Sequence, residues 1–135
     1  MKQKHDIICG TFITAEINIY RSVEPDGKRI GVIDPYSFVF SFKDNTPMKY
    51  DVRDDKKNES TFLLYREDDI RLFVVGECDI WIGKKGMKSY SKQDEESCYD
   101  YQGNEKALTG IIGNVDKDMF DIKRIVVFQF KLKEE

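Results

Sequence analysis

Alternation constrains this chain more than any other feature of its sequence. In Tyr36-Ser37-Phe38-Val39-Phe40-Ser41-Phe42 the three phenylalanines fall on one face of an extended backbone, and Ser37, Val39 and Ser41 fall on the other. A helix would scatter the same side chains around its axis. Residues 61–66, TFLLYR, and 70–75, IRLFVV, are two short apolar runs separated by Glu67-Asp68-Asp69, which predicts a hairpin with a solvated acidic tip. The run CDIWI adds a further strand, and Cys9 sits in another short apolar stretch. The C-terminal FDIKRIVVFQFKL also alternates: Phe120, Ile122, Val126, Phe128, Phe130 and Leu132 share a face that Arg124 interrupts, while Ile125 and Val127 make the other face partly apolar. That pattern predicts a strand covered on both sides.

Turn signals punctuate these runs. Glu24-Pro25-Asp26-Gly27 combines a proline that presets φ with a glycine that accepts a positive one, and a second turn is expected at Gly103-Asn104. Helical signal is thin, confined to short stretches at 92–97 (KQDEES) and 104–108 (NEKAL). Many short strands between frequent turns predict a mainly β protein, a sandwich or barrel with few short helices. No repeat or linker divides residues 1–135, so a single domain is expected.

Charge and cysteine content narrow the function. The 22 basic and 25 acidic side chains give a net charge of −3, which argues against general nucleic-acid binding. The opening MKQKHDIICG lacks the apolar stretch of a secretory signal, and no run reaches membrane-spanning length. Cys9, Cys78 and Cys98 are too few and scattered for a disulfide framework, so the expectation is an intracellular, cytoplasmic protein with reduced thiols and no integral membrane segment.

Each candidate for chemistry meets a specific obstacle. The stretch 83–89, GKKGMKS, looks like a phosphate loop, but Met87 separates Gly86 from Lys88 and the first glycine of a Walker loop is missing. Asn114, Asp116 and Asp118 imitate the start of a calcium loop, yet Met119 stands where glycine is required and Ile125 where the bidentate glutamate belongs. His5, Cys9, Cys78 and Cys98 could ligate zinc only if the whole fold assembled them, because no C-x-x-C pair is present. His5 is also the lone histidine available to a catalytic triad. No metal and no cofactor is expected. Cys9, Cys78 and Cys98 remain candidates for redox chemistry, although Glu77 and Asp79 flank Cys78, and Glu95 and Glu96 lie close to Cys98, where their charges oppose a thiolate.

The order of several segments resembles the TLDc domain of oxidation-resistance proteins. Its F-G-G-Y-I strand is similar to Cys9-Gly10-Thr11-Phe12-Ile13, and its D-x-S-F-L-F-S-L strand to residues 34–42. Its strand-plus-G-x-S segment resembles the stretch with Ile80, Trp81, Ile82, Gly83, Ser89 and Ser91. Glu96-Ser97-Cys98-Tyr99-Asp100-Tyr101 with Ala107-Leu108, and the closing FDIKRIVVFQF, look like its late segments. The family's final strand carries E-V-W-G-F where this chain has Val126-Val127-Phe128-Gln129-Phe130, so no role of that glutamate carries over. The family has a further segment before the glycine strand; here few residues precede Ile7, and a compact version without that segment is expected.

The resemblance implies a two-sheet antiparallel β-sandwich without settled catalytic chemistry, linked to oxidative-stress protection and, in some members, to the proton-pumping V-ATPase. The expectation is therefore a non-enzymatic interaction domain with a protein partner. Its candidate surface is Lys84, Lys85, Lys88, Ser89, Tyr90 and Ser91, three cations beside a tyrosine. Two alternatives stand beside it: a thiol-based peroxide scavenger, and a sandwich that binds a small ligand or carbohydrate by stacking Tyr90, Tyr99 and Tyr101 on a sugar face.

Overall fold

Alternating side chains become strands wherever a neighbouring strand can take up their backbone groups. The computed structural model of the chain describes residues 8–17, 27, 29–43, 46–104, 107–108, 120 and 122–131. Among these, strands β1 (Ile8–Phe12), β3 (Phe38–Lys43) and β4 (Thr46–Asp51) form one sheet in the order β1-β3-β4. Strands β2 (Arg29–Ile33), β5 (Ser60–Tyr65), β6 (Arg71–Val75) and β7 (Ile80–Gly83) form the second, in the order β2-β5-β6-β7. Every pairing is antiparallel. The two sheets pack against each other as a β-sandwich, as expected.

One buried cluster joins the sheets: Val39 and Tyr50 from the first meet Val32, Phe62, Val75, Ile80 and Ile82 from the second. Removing such side chains from water is the main favourable term in the fold, about 2 kcal/mol for each large aliphatic group. The interior is not purely apolar. The Ser37 hydroxyl lies 3.2 Å from that of Thr61 and 2.9 Å from that of Tyr99, and it donates to the Asp34 carbonyl at 2.8 Å. Ser41 donates to the Ala107 carbonyl at 2.9 Å. These bonds satisfy groups that would otherwise be costly to bury, and they fix how the sheets and the late loops face one another.

The small face of β3 is the one turned inward. Val39 and Ser41 are fully buried, whereas Phe42 is 44% exposed. The phenylalanines instead build an aromatic layer on the outside of the three-stranded sheet. Gly10 is paired with Phe40, and a Cβ there would lie 2.7 Å from Phe40 Cζ, so the missing side chain makes room for the ring. Phe12 stacks on Phe38 with centroids 5.2 Å apart, and Lys49 Nζ lies 4.6 Å from the Phe38 centroid.

The predicted hairpin forms as β5 and β6, closed by Asp69 N donating to the Arg66 carbonyl at 3.1 Å. Asp69 accepts from Arg71 N and Nε, and this side-chain bond to Arg71 holds its carboxyl down at about 2. The Gly103 turn also forms, with φ of +79 at Gly103 and +55 at Gln102. Of the turn at 24–27, only Gly27 lies within the described residues, and its φ is +67.

Two expectations fail. Residues 92–97 are not a helix: Ser97 Oγ accepts from Asp94 N at 2.9 Å and Asp94 Oδ1 accepts from Glu96 N at 3.0 Å. These short side-chain bonds replace the helical ladder. Within 104–108 only a turn is described, closed by Ala107 N on the Asn104 carbonyl at 3.2 Å, and 105–106 lie outside the described residues. Among the described residues the helical content is one 3-10 turn at Asp54–Lys56.

The C-terminal run is the second correction. Residues 122–131 form no strand, and Val127, Phe128 and Phe130 are 86%, 75% and 73% exposed. Phe130 reaches the Phe12 ring at 5.8 Å, but no strand among the described residues pairs with this segment. Alternation prepares a segment for a ladder and does not supply the second strand.

Candidate interaction surface

Strand β7 points Ile80 and Ile82 into the core and leaves Trp81 and Gly83 on the outer side. The chain then turns. Met87 N donates to the Lys84 carbonyl at 2.9 Å, and Gly86 has φ of +88 at the position where such a turn requires a positive value. Gly83 is required for space, because a Cβ there would lie 2.8 Å from Met87 Cβ and 2.9 Å from the Lys88 carbonyl oxygen. The returning chain bridges back to β7: Trp81 N donates to Tyr90 O at 2.8 Å and Tyr90 N to Trp81 O at 3.1 Å. The Tyr90 ring stacks on Trp81 with centroids 5.0 Å apart.

This framework assigns the six predicted surface residues to different roles. Lys85 and Lys88 are exposed. Lys84 is a strut: its Nζ donates to the carbonyls of Arg66 and Glu67 at 2.6 and 2.7 Å, and its N–H to the Ile70 carbonyl at 2.9 Å. It ties the turn to the β5–β6 hairpin. Ser89 and Ser91 are buried, which corrects their placement on the surface. Ser89 Oγ accepts from Gly83 N at 3.0 Å, and Ser91 Oγ donates to the Asp79 carbonyl. Tyr90 is half-buried, and burial pushes its phenol up to about 12.

Two further cations reach the turn from far along the sequence. Ser89 and Phe120 exchange backbone bonds of 3.2 and 2.8 Å, which lays residues 122–125 beside the turn 83–88. Between them lies an open cleft of about 680 Å³. Lys85, Lys88, Lys123 and Arg124 line its walls, and Leu72 and Ile122 contribute apolar surface. No carboxylate lines it among the described residues. The sequence offered one hint of this: Arg124 breaks an otherwise apolar face of the last run.

The thiols sit in environments that oppose ionisation. Burial pushes Cys9 up to about 11 and Cys98 up to about 12, the latter helped by the charge of Asp79. Burial also raises Cys78, whose Sγ lies 3.8 Å from the Tyr90 hydroxyl. A thiol at these values is almost wholly protonated at neutral pH and is a weak nucleophile. Among the described residues no group of three His, Cys, Asp or Glu side chains could hold a metal ion. His5, Asn114, Asp116 and Asp118 lie outside the described residues.

The sugar-stacking arrangement loses two of its three rings. Tyr99 and Tyr101 are 1% and 5% exposed, and both serve the interior. Tyr101 Oη donates to Asp79 Oδ2 at 2.6 Å, and its ring packs 5.1 Å from that of Tyr50.

Asp79 is the buried carboxylate that organises this end of the molecule. Besides Tyr101 it accepts from Cys98 N at 3.1 Å and Tyr99 N at 3.3 Å, pinning the segment 98–101 to the start of β7. Burial raises its pKa to about 6 against the opposing pull of these bonds. Asp34 resolves the same conflict differently. Burial pushes it up, but bonds from the Thr14 hydroxyl and the N–H groups of Ala15, Thr14 and Tyr36 prevail and hold it below the usual carboxylate value. Both carboxylates are enclosed by donors of the chain itself, so they act as internal fasteners.

No helix among the described residues is long and apolar enough to cross a membrane. Comparison with protein-family models, curated proteins and solved structures finds no match to this chain.

Proposed function

We propose that the chain is a non-catalytic, TLDc-like interaction domain that serves oxidative-stress protection by holding a protein partner, with the V-ATPase as the assembly the resemblance names. The observation that carries this reading is the division of labour around β7. Asp79, Ser89 and Ser91 are turned inward and bonded to the chain, whereas the cations of the 83–88 turn and of 122–125 line an open cleft. Loops on a rigid sandwich are a common location for binding surfaces.

The test uses Lys85→Glu together with Arg124→Glu, both exposed, and leaves the strut Lys84 intact. Tagged wild-type and double-variant proteins are recovered from peroxide-treated cells, and their partners are compared by mass spectrometry and by blotting for V-ATPase subunits. The expected result is a specific partner set that the variant loses, with a matching loss of peroxide survival. An identical partner set from both proteins would remove this reading.

A further inference from the structure

The cleft beside β7 has a composition that selects among partners, and the selection rests on the interaction reading above. Among the described residues its charged lining has one sign. Lys85 and Arg124 face each other across it from the two walls, with Lys88 and Lys123 beside them, in a chain whose net charge is −3. The lining is also partly apolar: Leu72, Met87, Ile122 and Ile125 lie among the cations, and Met87 and Ile125 are each 44% exposed. Its two walls are backbone segments running side by side, the turn 83–88 and residues 122–125, fixed by the Ser89–Phe120 bridge.

Its surroundings limit what can lie there. Lys84 holds the Arg66 and Glu67 carbonyls, which brings the acidic hairpin tip Glu67-Asp68 close to the turn. A long polyanion crossing the cleft would run into that tip. The aromatic pair nearby, Trp81 and Tyr90, stack on each other, and neither lines the cleft. A nucleic-acid groove would instead offer rings to bases and a continuous basic track. A short extended segment with carboxylates on its flanks and an apolar side chain between them satisfies both parts of the lining. We propose that the cleft docks such a segment: an acidic peptide of a protein partner, with glutamate or aspartate carboxylates facing Lys85 and Arg124 and an aliphatic side chain against Leu72 and Ile122.

The probe is a fluorescein-labelled peptide in which glutamates flank a central pair of leucines, followed by fluorescence anisotropy. Saturable binding is expected, weakened at least ~10-fold by Lys85→Glu with Arg124→Glu and unchanged by Lys57→Glu, an exposed charge outside the cleft. Replacing the glutamates by glutamines should abolish it, and raising salt from about 50 to about 300 mM should weaken it several-fold. Thermal melts of the variants confirm that the fold is kept. Three results each overturn the proposal: no binding, equal binding by the glutamine peptide or the cleft variant, or tighter binding of a single-stranded DNA of equal charge. If the peptide fails while the same double variant still loses its cellular partners, this inference falls and the interaction reading stands.

Discussion

The buried carboxylate of Asp79 makes stability fall as pH rises through the neutral range. Its pKa is about 6 in the folded chain, against an ordinary value of 3.8. The folded state therefore binds the proton more tightly than the unfolded state, and this contribution is greatest below 3.8 and is lost as pH passes 6. The full difference, about 2 pKa units, corresponds to about 3 kcal/mol. Roughly half of it, about 1.4 kcal/mol, falls between pH 5 and pH 7.5. Asp34, Asp69 and Asp94 are shifted down, so their opposite contributions change at lower pH and are complete before this window opens. Urea unfolding at pH 5 and pH 7.5, or thermal melts with Tm lower by about 5 °C at the higher pH, would read the effect. Asp79→Asn removes the titration. It also leaves the Tyr99 N–H facing an amide donor, so the variant is less stable by about 2 kcal/mol at pH 5 but has a flat profile. A wild-type profile that is flat or rises across the window, or a slope that survives in Asp79→Asn, would refute the reasoning.

Other expectations follow from the same geometry. Gly76→Ala places a Cβ 2.1 Å from Asp79 Oδ1 at a φ of +63, and should cost at least about 2 kcal/mol in urea unfolding. Gly103→Ala, with φ of +79 and no atom within 4 Å, should cost only about 1 kcal/mol, so equal losses would show that the Asp79 contact is irrelevant. Thiol labelling of the native protein at pH 7.5 should be slow, with half-exposed Cys78 reacting before buried Cys98; rapid labelling of Cys98 would contradict its placement. Lys84→Met removes two bonds to hairpin carbonyls and should speed amide exchange in the 83–88 turn more than Lys85→Met does. Equal exchange in both variants would deny the strut.

The parts of the fold that were legible in the sequence are those where local pattern and tertiary role agree. TFLLYR and IRLFVV carry strand-forming side chains right up to their acidic turn, and they pair as β5 and β6. Strand β4, TPMKYD, was invisible because only Tyr50 among its residues is buried; its pairing with β3 makes it a strand. Strand β2 was equally hidden by Gly31 in a five-residue run. The C-terminal run shows the converse, a strong pattern without a partner. The surface behaved likewise. Lysines announce solvent, so Lys85 and Lys88 were found, but a serine hydroxyl reads the same whether water or Gly83 N–H faces it, and Ser89 and Ser91 were misplaced. Lys123 joins them through a backbone pairing between Ser89 and Phe120 that spacing cannot reveal. Asp79 entered the sequence reading only as a charge beside Cys78, because its enclosure depends on residues 98–101.

Among the described residues β1 and β4 are the outer strands of the three-stranded sheet, and they meet a foreign β-strand on unequal terms. β4 carries Pro47, which has no N–H to offer, together with the exposed charges of Lys49 and Asp51. Such features blunt an edge against uncontrolled pairing. β1, Ile8-Cys9-Gly10-Thr11-Phe12, has neither a proline nor a charge, and Ile8 is 61% exposed. Of these two described edges, β1 is thus the better template for intermolecular strand growth at high concentration or after partial opening by heat. A lysine in place of Ile8 is the conservative way to keep the purified protein dispersed.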